Sequence, residues 1–141
     1  MKFSTRGRYG LQVMIDLAEL SDGGPISLRS IAARKHLSEH YLGQVVPDLR
    51  KAGLVRSIRG TKGGYVIARP PAQIVVGEII RAIDGPVAPV ECNGENSAQC
   101  CRDMSFCAMR KIWQQVQEAI CNVIDNVTLQ QLLDDGLSQL D

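Results

Sequence analysis

The sequence predicts a mainly α-helical chain with one small β-hairpin. Three observations carry that expectation. Apolar residues recur along most of the chain at the three- and four-residue steps of amphipathic helices. Only two β-prone runs occur, and a glycine-rich turn separates them. The composition, 45% hydrophobic and 22% charged, is that of a folded domain rather than a disordered segment. A length of 141 residues suits one core with an extension better than two independent domains.

From Thr5 to Leu20, Leu11, Met14, Ile15 and Ala18 repeat at helical spacing, and Asp22-Gly23-Gly24-Pro25 breaks the helix. Ser27 is the expected N-cap of a short second helix, Leu28 to His36, with Leu28, Ile31 and Ala32 inward. Ser38 caps a third helix whose stripe is Leu42, Val45, Val46 and Leu49, closed by Gly53. Pro47 lies well past the first turn of that helix and deprives the Gly43 carbonyl of its donor, so the expectation is a kinked or early-ending helix. Two short helices separated by so little chain form a helix-turn-helix pattern, and the outer face of the second carries Glu39, His40, Gly43, Gln44, Pro47 and Lys51.

Leu54 to Arg59 and Tyr65 to Ala68 flank Gly60-Thr61-Lys62-Gly63-Gly64 and read as a hairpin with a basic tip, the wing of a winged helix-turn-helix. The glycine run lacks the Walker spacing and following helix of a nucleotide site. Val75 to Asp84 is a helix with Val76, Ile79, Ile80 and Ile83 inward, ended by Gly85-Pro86. A long helix from about Ser105 to Asn126 carries Trp113, Val116, Ile120, Val123 and Val127 on a near-heptad seam, suited to pairing with a second copy of the chain rather than to the alternative of packing on its own N-terminal helices. Thr128 caps a final short helix with Leu129, Leu132 and Leu133 inward. The expected organisation is a DNA-binding domain over residues 1–85, a cysteine-bearing loop over 86–104, and a dimerisation helix with a short C-terminal helix packing back over 105–141.

The net charge of +1 hides a polarity. Residues 1–70 hold 12 Lys and Arg against 5 Asp and Glu, and the remainder holds 4 against 10. A basic first half is what phosphate neutralisation requires of a nucleic-acid binder. No signal-peptide core or membrane-length apolar run is present, which points to a cytoplasmic protein without a membrane partner. No nucleophile triad or carboxylate pair has supporting context, so an enzyme is not expected, and His36 reads as a solvated helix-end residue.

Cys92, Cys100, Cys101 and Cys107 fall within sixteen residues, while Cys121 reads as a small buried residue on the long helix. Clustered thiols in a reducing compartment suit an iron-sulfur cluster, structural zinc or a thiol switch, and spacing alone leaves all three open along with unliganded cysteines.

Four segments carry a resemblance: Ser4-Thr5-Arg6-Gly7-Arg8-Tyr9, Leu37-Ser38-Glu39-His40-Tyr41-Leu42, Leu49-Arg50-Lys51-Ala52-Gly53-Leu54-Val55, and Arg59-Gly60-Thr61-Lys62-Gly63-Gly64-Tyr65. With them the sequence resembles, nearly end to end, the Rrf-type family of bacterial winged-helix transcription regulators. The resemblance implies a homodimer on a pseudo-palindromic double-stranded operator, acting as a repressor. It implies His40, Tyr41 and Gln44 near base edges and Arg59 in a minor groove. Gln44 can bond adenine bidentately, and Arg59 suits a narrow A·T-rich groove. Arg8, Ser38, Arg50 and Lys62 suit phosphates.

Cluster-bearing members of the family hold three loop cysteines before the long helix, which Cys92, Cys101 and Cys107 match, implying a 2Fe-2S cofactor. The histidine that supplies the fourth ligand in the iron-sulfur member is Arg110 here, leaving Cys100, His40 or an acidic side chain for that role. Arg8 stands where a nitric-oxide sensor of the family has an aspartate, and Gly43 where the iron-sulfur member has an operator-discriminating glutamate. The wing and third helix look closest to the cysteine repressor of the family, which implies the alternative of a cluster-free repressor controlled by a partner protein or by thiol oxidation.

Overall fold

A computed structural model of the chain describes residues 4–20, 23–88 and 108–140, the last four by their backbone only. The described elements are α1 (Thr5–Glu19), α2 (Leu28–Lys35), α3 (Glu39–Lys51), β1 (Val55–Ile58), β2 (Gly64–Ile67), a 3-10 turn (Pro71–Gln73), α4 (Val76–Asp84), α5 (Arg110–Ile124) and α6 (Leu129–Leu140).

Serine caps start the first three helices. Ser4, Ser27 and Ser38 each accept a backbone N–H three residues on, at 2.9, 3.1 and 3.3 Å. Thr128 and Gln131 form a reciprocal capping pair at the head of α6, which runs for 12 residues and so exceeds the short helix expected. α2 ends with His36 in the left-handed conformation, φ 55° and ψ 45°, and the Leu37 N–H returns to the Ala32 carbonyl at 2.9 Å. His36 is exposed at this helix end, as its sequence position suggests.

α3 runs unbroken through Pro47 to Lys51, so the expectation of an early end is overturned. The Gly43 carbonyl that Pro47 leaves without a backbone donor belongs to an exposed residue, where water can serve it. The same stretch is braced from α1, where Arg6 Nη2 donates to the Gln44 carbonyl at 3.2 Å and to Asp48 Oδ2 at 2.8 Å. Gly53 follows with φ 76°, the left-handed step that lets the chain turn into β1.

β1 and β2 pair antiparallel with Val55 opposite Ile67 and Ile58 opposite Gly64. The hairpin is anchored on its second strand: Ile26, in the α1–α2 connection, exchanges both backbone hydrogen bonds with Tyr65, at 3.0 and 2.8 Å.

One core gathers Val13, Met14 and Leu17 of α1, Ile31 of α2, Leu42, Val45, Val46 and Leu49 of α3, Leu54, Ile74, Ile79 of α4 and Leu129 of α6. Burying each such side chain is worth about 1.5–3 kcal/mol. The inward line of α1 is Gly10, Val13, Met14 and Leu17, with Leu11 and Ile15 only half-buried at its margins, a rotation from the stripe read in the sequence. Gly10 permits close approach of α1 and α4, since a Cβ there would overlap Ile83 Cδ1.

A second, smaller cluster joins α4 to the root of α5: Val76, Ile80, Val87 and Ile124, flanked by Leu11, Ile120, Cys121, Val127 and Leu132. Cys121 is half-buried, not enclosed. Of the expected seam, Ile120 and Val127 pack against the chain's own core, whereas Val123 is 63% exposed, and Ile112 and Met109 are also exposed. Helical spacing placed the apolar residues on one side of α5, but that side is shared between the chain's own core and solvent. The helix expected from about Ser105 begins only at Arg110, with residues 108 and 109 in a turn, and residues 105–107 lie outside the described residues.

Candidate nucleic-acid interface

Three elements present exposed basic or polar side chains: α3, the hairpin turn and α1. The helix-turn-helix supplies α3, anchored by its buried stripe so that the opposite face points outward. On that face Glu39, His40, Gly43, Gln44, Arg50 and Lys51 are exposed. His40 and Gln44 stand on successive turns, with Gln44 Nε2 3.5 Å from His40 Nε2. Tyr41 differs from them: it is half-buried, packs on the core, and its ring meets Tyr9 edge-on at 5.1 Å and 84°. Ser38 Oγ is engaged as the helix cap, which uses its acceptor and leaves the hydroxyl proton to donate outward.

Arg59 and Lys62 are exposed in the turn of the hairpin, where the Gly63 N–H bonds the Gly60 carbonyl at 3.0 Å and Gly60 takes φ 117°. Arg8 is exposed on α1.

Among the described residues some cations are ion-paired and others, Arg29 and Arg56 among them, are not. Arg6, Arg34, Arg69 and Arg81 each hold a carboxylate on another segment of the fold. Arg8, Arg50, Arg59 and Lys62 have no acidic partner among the described residues. Exposed cations left uncompensated are what a phosphate backbone requires.

The supporting pairs were not read from the sequence. Asp16 is buried on the apolar line of α1, and Arg34 grips it in a fork, Nε to Oδ1 at 3.1 Å and Nη2 to Oδ2 at 2.6 Å. That bond raises the Arg34 guanidinium above its ordinary range, keeping it charged. A charged residue between Val13, Met14 and Leu17 is itself the signal that a partner must exist. Arg6 lies two residues from Arg8 and so points to a different face, towards α3.

Cys92, Cys100, Cys101 and Cys107 lie outside the described residues. Among the described residues no group of three or more His, Cys, Asp or Glu side chains is arranged to hold a metal ion. His40 stands on the exposed face of α3. No helix among the described residues is long and apolar enough to cross a membrane.

Comparison with known proteins agrees over nearly the whole chain. The sequence profile of the Rrf2 family, described as an iron-dependent transcriptional regulator, matches residues 3–135. The HTH-type transcriptional regulator CymR of Bacillus subtilis is 47% identical over 132 residues, covering 94% of this chain and 89% of its own. The solved structure of that global cysteine regulator superposes with a TM-score of 0.77, covering 95% of this chain and 97% of its own at 45% identity. The structure of IscR from T. potens superposes with a TM-score of 0.78, covering 96% and 88% at 43% identity.

Proposed function

From the premise that the chain belongs to the Rrf2 family of DNA-binding transcriptional regulators, we propose that it acts as a homodimeric repressor whose operator binding responds to the state of its clustered thiols. The family is one of regulators, not enzymes. The observation that supports the DNA-reading part is that Arg8, Arg50, Arg59 and Lys62 are exposed and without an acidic partner among the described residues, as His40 and Gln44 are exposed on α3.

In this reading His40 and Gln44 meet base edges in a major groove, with Tyr41 beside them as their support on the core. Arg59 enters the minor groove, and Arg8, Ser38, Arg50 and Lys62 hold phosphates. The uncovered apolar side of α5, with Ile112 and Val123, pairs with its copy. Residues 1–85 form the reading unit, 86–104 the sensing loop and 105–141 the dimerisation arm that packs back on it.

Cys92, Cys101 and Cys107 supply soft donors for a 2Fe-2S cluster, a group whose redox and assembly state would be the signal. Arg110 cannot ligate, so the fourth donor comes from Cys100, His40 or a carboxylate. The similarity to CymR supports a second reading, in which the same thiols work without a cluster and the signal is their oxidation or a protein partner.

Anaerobic absorption with iron, sulfide and zinc analysis separates the two. Matching iron and sulfide supports the cluster, and a colourless chain that cannot be reconstituted removes it. Binding to a duplex selected from a random pool tests the interface. Gln44→Ala should relax preference at one base position at a cost of about 1–3 kcal/mol, and Arg50→Ala should weaken all duplexes and lower the salt slope by about one. Equal behaviour of the two variants would refute the assignment.

A further inference from the structure

The root of α5 is fastened to the DNA-reading core by a compact joint. Val75 and Thr128 form an antiparallel bridge, with the Val76 N–H on the Val127 carbonyl at 2.9 Å and the Leu129 N–H on the Ile74 carbonyl at 2.8 Å. One turn along α4, Arg81 closes a two-pronged bond on Asp125, Nη1 to Oδ1 at 2.6 Å and Nη2 to Oδ2 at 2.8 Å. Arg81 Nη2 also reaches Cys121 Sγ at 3.5 Å. Farther up α5, Gln117 Nε2 donates to the Val87 carbonyl at 2.8 Å. Gly77 leaves the space in which the Arg81–Asp125 pair lies: a Cβ there would overlap the Asp125 carboxylate and come within 2.7 Å of Arg81 Nη1.

The backbone bridge fixes where α5 leaves the core. A bridge alone acts as a pivot, and the direction of the helix is set by contacts away from it. Those are the apolar contacts of Ile120 and Ile124, the Gln117 bond and the Arg81 fork, which is bidentate and so constrains angle as well as distance. Both partners are more than a third exposed, so the pair adds little to folding stability. Its consequence lies in geometry, because a small rotation at the root of α5 is magnified at α3.

We infer that Arg81, with Asp125 across Gly77, is a positioning residue that sets the angle between the dimerisation arm and the reading head, and thereby the operator spacing that two heads can span. The inference rests on the homodimeric reading above. It assigns Arg81 no contact with DNA.

The test uses the full-length chain with a spin label introduced at Lys51 through an unnatural amino acid. Pulsed dipolar spectroscopy measures the distance between the two labels in the dimer. Binding is measured in parallel to the pool-selected duplex and to the same duplex with its half-sites moved apart by half a helical turn, about five base pairs. Arg81→Ala should keep the dimer and the fold, broaden the label distance, and reduce discrimination between the two spacings about tenfold, within the usual range for coupling between sites. Gly77→Ala, which wedges the pair apart without altering charge, should do the same. The swap Arg81→Asp with Asp125→Arg should restore both readouts, and Cys121→Ala should leave them unchanged. A dimeric Arg81→Ala chain with the wild-type distance distribution and spacing discrimination would overturn the inference alone. A wild-type chain that sediments as a monomer would overturn the dimer reading and this one with it.

Discussion

Asp16 is a carboxylate among Val13, Met14 and Leu17, and its charge is tolerated there because Arg34 reaches it from α2. Arg34→Ala strands that charge and should destabilise the fold by about 3 kcal/mol, the lower end for breaking a buried pair because Arg34 itself keeps solvent contact. Urea denaturation reads this directly, and a midpoint within error of wild type would show that Asp16 finds another partner. Asp125 gives a weaker and pH-dependent signature. The Arg81 bond holds its carboxyl below the ordinary 3.8, so the pair's contribution is present above that value and is lost as pH falls through the lower folded value. Wild type should exceed Asp125→Asn slightly near neutrality, with the two denaturation midpoints converging as pH drops below 3.8. At this scale the sequence was partly legible: Ser27, Ser38 and His36 hold the positions their types predict, while Arg6 and Arg81 have partners 42 and 44 residues away that no local pattern announces.

The elements were legible wherever short-range chemistry decides them. The serine caps and Gly53 mark boundaries because they satisfy or release backbone groups locally. Pro47 misled because the rule for an isolated helix takes no account of an exposed Gly43 carbonyl or of Arg6 bridging Gln44 and Asp48 from a neighbouring helix. The α1–α4 contact has its own requirement, a residue without a side chain at position 10. Gly10→Ala favours the helix intrinsically yet should destabilise the protein by about 1–3 kcal/mol through overpacking against Ile83. A thermal midpoint equal to or above wild type would show that Ile83 relaxes freely. Because α4 carries Arg81 on another face, the same substitution is also expected to disturb the α5 joint.

Across the whole molecule, the charge polarity could be read from composition, with 12 Lys and Arg against 5 Asp and Glu over residues 1–70. The seam of α5 suits a second copy or the chain's own helices, and the sequence could not apportion it: Ile120 and Val127 turn to the chain's own core while Ile112 and Val123 stay uncovered. That division depends on the Val75–Thr128 bridge, a long-range pairing without a local signature. If the chain dimerises through this face as proposed, Ile112→Asp places a charge on the uncovered side and should leave a monomer that keeps its fold, as sedimentation and circular dichroism would record. A persistent dimer would move the interface elsewhere.

The same bridge closes the chain upon itself: residues 74–76 and 127–129 meet, so whatever lies between leaves and returns at one point. Leu129 adds a fully buried anchor in the main core. These contacts should hold the two parts together without covalent continuity between α4 and α5. Fragments 1–88 and 108–141, produced as separate polypeptides and mixed, should reconstitute a stoichiometric complex that co-elutes and melts cooperatively. The architecture would in that sense be a two-piece assembly, held by the bridge rather than by the chain that runs between its halves.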